Sequence, residues 1–149
     1  MHIRLASSLL LLCLPLSASA RDCAPQVKDG WIRLLPGGMH ASHGGMQAGF
    51  GRIDNRCPMP ATIVSASSPA YARVELHESK VIGGINRMRA VPELRIAPDG
   101  AAVLQPGGVH LMLMQPKATL KAGSRVAIEF KLKDGRTLLG EFEVRKPLP

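Results

Sequence analysis

At 149 residues the chain has room for one domain with a real hydrophobic core, not several. Its formal charge of +8 would suit a polyanionic partner, yet aromatics make up only 3% of the chain, so stacking platforms for nucleic-acid bases are scarce. Lys and Arg are scattered among acids and apolar residues, which reads as a solvated basic surface able to help docking on an acidic partner.

Met1–Arg4 carries one positive charge, Leu5–Leu16 is an apolar run, and Ala18-Ser19-Ala20 is a small-x-small cleavage site. That layout is a secretory signal peptide. The run falls short of the roughly 20 apolar residues that span a bilayer. The expected organisation is a cleaved signal over residues 1–20 and one domain over residues 21–149, exported to the periplasm without stable membrane insertion. Cys13 follows Leu12 and Cys23 follows Asp22, whereas a lipid-modified cysteine usually follows a small residue. Cys13 leaves with the signal. Cys23 and Cys57 remain as an even pair in an exported chain, which reads as a disulfide. A thiolate metal pair is the competing reading, and no CxxC supports it.

The rest of the chain shows short apolar or alternating stretches and no long run of helical period. Strands are expected at Val27–Leu34, Met46–Ile53, Ala61–Ala66 and Arg73–His77. Further strands are expected at Asn86–Ala90, Ala101–Leu104, His110–Met114, Arg125–Leu132 and Thr137–Val144. Asp134-Gly135 is a hairpin signal between the last two. A turn through Ile82-Gly83-Gly84 would bring His77 and Met88 side by side. Leu35–Gly45, rich in Gly, Met and His, and Pro116–Ser124 are expected as loops. The spacing predicts an all-β antiparallel sandwich or barrel.

Downstream of the signal lie His40, His43, His77 and His110, together with Met39, Met46, Met59, Met88, Met112 and Met114. The methionines track the histidines instead of scattering as core residues would. Alternate residues of a strand share a face, so His110, Met112 and Met114 point one way and Leu111 and Leu113 the other, toward the core. Thioether sulfur is soft and neutral and favours Cu(I), while imidazole suits Cu(I), Cu(II) and Zn(II) alike. A mixed set therefore selects copper, mainly reduced.

His77, ten residues, Met88, twenty-one residues, His110, one residue, Met112 is a spacing that resembles the signature of the PCu(A)C family of periplasmic copper chaperones. Val74-Glu75-Leu76-His77-Glu78, Met88-Arg89-Ala90-Val91, the stretch from Gln105 to Met114 and Leu120-Lys121-Ala122-Gly123 are similar to that family's motifs. The likeness runs from about Val27 to Val144. It implies a cupredoxin-like β-sandwich and Cu(I) held by His77, Met88, His110 and Met112, with Met114 as the substitute sulfur. It also implies delivery of copper in cytochrome c oxidase (CuA) assembly, to an oxidase subunit or a Sco-type assembly protein. Some members carry Met directly after the first His; here Glu78 stands there. The loop histidines His40 and His43 are candidates for a weak accessory Cu(II).

Other chemistries fare worse. A blue-copper site needs a Cys thiolate, and neither Cys23 nor Cys57 lies within ten residues of His77 or His110. A copper oxygenase built on an N-terminal His is not supplied by Arg21, so a copper-dependent redox enzyme is a rival without its signature. Ser42-His43 and Ser79 are accompanied by no GxSxG elbow. Glu75 and Glu78 read as ordinary surface acids beside His77. A solute-binding β module is the alternative from another class. The expectation is a binding protein, not an enzyme, with no nucleic-acid partner.

Overall fold

The computed structural model describes residues 23–34 and 45–146. The expected signal peptide, Cys13, and the loop residues Met39, His40 and His43 lie outside the described residues.

Ten strands follow in order: β1 Gln26–Arg33, β2 Met46–Asn55, β3 Ala61–Ser67, β4 Tyr71–Ile82, β5 Ile85–Ala90, β6 Leu94–Ile96, β7 Gly100–Leu104, β8 Val109–Pro116, β9 Arg125–Leu132 and β10 Thr137–Arg145. Alternation builds them. In β9, Val126, Ile128, Phe130 and Leu132 are buried while their neighbours face water, and in β10 Leu138, Phe142 and Val144 do the same. These side chains meet Ile32, Ile53, Ile63, Tyr71, Leu111 and Leu113 in one core.

The strands pair in the order β5-β4-β8-β2-β1-β10-β9-β3-β6, and β7 pairs with the second half of β2. A further pairing of β3 with β4, Ala66 opposite Val74, closes the sheet on itself. The expected all-β, cupredoxin-like single domain is therefore what the chain adopts. One pair departs from the antiparallel expectation: β1 and β10 run parallel, from Gly30 opposite Phe142 to Arg33 opposite Arg145. Strands from opposite ends of the chain share no hairpin, so no turn constrains their sense. Gly30 lets them approach, since a Cβ there would lie 2.7 Å from the Glu141 carbonyl oxygen.

Two other differences are local. β4 extends well beyond Arg73–His77, because pairing with β5 carries it on to Ile82. Three-residue β6, set between Pro92 and Pro98, is too short for alternation to register in the sequence. Cys23 and Cys57 are bonded to each other, with Cα atoms 5.6 Å apart, which removes the thiolate metal pair. The bond ties the segment before β1 to the β2–β3 connection. Among the described residues no helix is long and apolar enough to cross a membrane.

Candidate metal centre

Strand β8 lies between β4 and β2, and its registers decide which side chains share a face. Against β4, His110 is opposite His77, Met112 opposite Glu75 and Met114 opposite Arg73. Against β2, Met112 is opposite Ala48 and Met114 opposite Met46. Register partners project to the same side of a sheet. His77, His110, Met112, Met114 and Met46 therefore share the outer face, while Val74, Leu76, Leu111 and Leu113 fill the core side.

Met88 arrives by the β4–β5 hairpin. Gly83 and Gly84 form its two-residue turn, with φ of 60° and 76°, the left-handed pair that a type I′ turn requires. That short turn sets the register, Ala90 opposite His77 and Met88 opposite Ser79. Met88 is thus not beside His77, as expected from the sequence, but diagonal to it on the same face. Diagonal neighbours stand about 7–8 Å apart between backbones, within reach of a long side chain. Met88 is 53% exposed, whereas His110 is 6% exposed.

The two imidazole rings lie 6.4 Å apart between centroids. His110 Nδ1 is 3.0 Å from the Gly108 carbonyl oxygen. A carbonyl only accepts, so Nδ1 carries a proton, and in the neutral ring Nε2 keeps its lone pair. In His77 the roles are reversed. Its Nε2 lies 2.9 Å from Glu75 Oε2 and donates to it, which leaves Nδ1 as the free nitrogen. The His77 hydrogen bond, helped by the nearby Arg73 charge, holds the Glu75 carboxyl below the usual carboxylate range. Such outer contacts orient imidazoles toward a metal.

Behind His110 stands a row of rings. Phe50 is 6.3 Å from His110 and Trp31 is 4.6 Å from Phe50, with the Arg33 guanidinium 5.1 Å from the Phe50 ring. Glu78 projects to the other side of the hairpin, where Arg89 at 2.7 Å and Lys80 at 3.1 Å hold its carboxyl low. It does not substitute for a fifth sulfur.

From the sequence Glu75 reads as an ordinary surface acid, whereas the structure puts its carboxylate on the His77 ring. Its position two before His77 was the available signal, because strand alternation puts both on one face. Among the described residues no three His, Cys, Asp or Glu side chains gather as a metal group. The thioethers of Met112, Met114 and Met46 share this face with the two imidazoles, and sulfur donors of that kind favour a soft cation.

The family model described as "Putative lipoprotein LpqE-like" matches residues 26–144. "Putative lipoprotein Lxx21020" of Leifsonia xyli subsp. xyli is 34% identical over 113 residues, 75% of this chain. The matched stretch spans 64% of that relative's length. The solution structure of the Cu(I) form of DR1885 from Deinococcus radiodurans superposes with a TM-score of 0.66 at 30% identity, covering 88% of this chain and 85% of that one. A copper-bound PCuAC domain from PmoF2 shares the fold, with a TM-score of 0.64 at 15% identity over 83% of this chain and 93% of that one.

Proposed function

This chain belongs to the LpqE-like family, and we propose that it is an exported copper chaperone that binds one Cu(I) through His77, Met88, His110 and Met112. The observation that carries the reading is the His77–His110 pair: in-register imidazoles, held by Glu75 and Gly108 so that one offers Nδ1 and the other Nε2. Met112 follows His110 on the same face, and Met88 stands diagonal to His77 on the neighbouring hairpin strand. The Cu(I) form of the 30% identical Deinococcus protein supports the choice of metal.

Four neutral donors bind Cu(I) without cancelling its charge, so the ion stays transferable. Exposure orders the release. Met88 is open to an incoming thiolate or thioether, and buried His110 is the last ligand an acceptor would displace. The tip beyond Met88 presents Val81, Ile82 and Ile85 to solvent, apolar surface that suits a transient contact with the acceptor. The acceptor we propose is a copper-accepting protein of the cell envelope, an oxidase subunit or a Sco-type protein on the route to the CuA centre. Cys23 is bonded to Cys57, so its sulfur is not free to carry a lipid.

X-ray absorption on the Cu(I)-loaded protein tests the reading. Two sulfur and two nitrogen neighbours are expected; a shell of nitrogen alone, or of sulfur alone, refutes the ligand set.

A further inference from the structure

We propose that Met46 and Met114 form a second, weaker site for a soft monovalent cation, Cu(I) or Ag(I), separate from the His77–His110 centre. The two residues are direct register partners across β2 and β8. Their side chains leave the same face with Cβ atoms about 4.5–5.5 Å apart. Each is unbranched, with a polarizable thioether at the end of rotatable bonds, so two sulfurs can close on one ion from that spacing.

The place is open to an ion. Met46 is 54% exposed. Met46, Ala72, Arg73, Met114 and Gln115 line a surface cleft of about 260 Å³. The pair is not needed for packing, because the core side of β8 is filled by Leu111 and Leu113.

The backbone around the pair is pinned. Gln115 adopts a φ of 55°, a left-handed conformation uncommon outside glycine, asparagine and aspartate. From it, the Gln115 N–H donates to the Gly45 carbonyl at 2.9 Å. That bond ties the end of β8 to the start of β2 and stops the Met46–Met114 register from fraying. Strain of this kind is held where the surrounding structure over-determines it.

Charge explains why the site is the weaker one. Arg73 Nη2 lies 3.3 Å from Met114 Sδ. A bound cation must displace that guanidinium, and the Arg73 side chain, 67% exposed and held at Nε by Glu75, can swing into water. Sulfur alone, without imidazole, also restricts the site to soft ions. Met112, the next residue of β8 on this face, separates the two sites.

The test is titration of the protein with Ag(I), and with Cu(I) under reducing conditions against a competing chelator, followed by NMR of the methionine methyl groups. Two steps are expected. The first shifts Met88 and Met112. The second, weaker by on the order of tenfold or more, shifts Met46 and Met114. Met46→Leu removes the second step and keeps the first, and Arg73→Ala tightens the second. A single step confined to Met88 and Met112, or a second step unchanged in Met46→Leu, overturns the proposal. Shifts at Met46 and Met114 without any first step would remove the His77–His110 reading and leave this one standing.

Discussion

His77 and His110 stand directly opposite each other on β4 and β8, with ring centroids 6.4 Å apart and the proton on Nε2 of one and Nδ1 of the other. The assignment follows from their partners, a carboxylate and a carbonyl, neither of which can donate. In each neutral ring the nitrogen away from the anchor keeps its lone pair, and these two nitrogens are the donors the proposed copper site would use.

The sulfur donors are the sharpest point of attack. Met88→Leu and Met112→Leu keep size and apolarity, a kind of swap that usually costs under about 1.5 kcal/mol of stability. Cu(I) affinity should fall by on the order of tenfold or more for each, while the melting temperature of the metal-free protein stays nearly constant. A double variant that binds Cu(I) as tightly as the parent protein would sink the ligand set.

If His77 binds copper as proposed, Glu75 acts on the ion through its hydrogen bond with His77. Removal of an outer-shell partner of a metal-binding imidazole typically costs about 10–100-fold in affinity. Glu75→Ala is expected to fall in that range, and Glu75→Gln, which can still accept the Nε2–H bond, to lose less. Absorption spectra should keep the same sulfur and nitrogen count in both. Equal affinity in the parent and in Glu75→Ala would mean that His77 needs no such anchor.

Trp31 is the single tryptophan of the chain, and its ring packs at a tilt of 40° against Phe50, which in turn abuts His110. Loading the His110 site should change tryptophan emission and saturate at the first Cu(I) equivalent. In the Met46→Leu variant the change should be unaltered. Emission that ignores Cu(I) while binding is shown by other means would place the ion away from His110.

The Cys23–Cys57 bond closes a loop with a sequence separation of 34. On the chain-entropy view that constrains the unfolded state by about 4 kcal/mol. Reduction, or a Cys23→Ser, Cys57→Ser double substitution, should lower thermal stability and leave Cu(I) stoichiometry as it was. A loss of Cu(I) binding in well-folded reduced protein would show that the bond also shapes the metal face.

Tyr71 is 2% exposed and its hydroxyl donates to the Gln47 side-chain oxygen, itself buried. Burial pushes the phenol pKa far above its ordinary value of about 10. A folded-state pKa raised above the unfolded one gives stability that is complete below about pH 10 and declines as pH rises above it. Alkaline titration of unfolding should show that decline, and Tyr71→Phe should flatten it. At neutral pH the same variant should cost about 1–3 kcal/mol, because Gln47 loses its partner. An identical alkaline limb in Tyr71→Phe would assign the effect elsewhere.

Much of the candidate face was legible one strand at a time. Alternation placed His110, Met112 and Met114 on one face and Leu111 and Leu113 in the core, and the structure agrees. The Gly83-Gly84 turn announced the β4–β5 hairpin, and Cys23 and Cys57 announced their bond. Alternation and turn chemistry are properties of a few consecutive residues, so the amino-acid order alone determines them. What only the tertiary structure decided is how separate strands meet. The pairing of β4 with β8 brings His77 to His110 across thirty-two intervening residues, and it depends on the closed sheet and the core beneath it. The parallel β1–β10 pair follows from the same cause. Register between strands distant in sequence is selected by the packing of the whole barrel, and no local pattern encodes it.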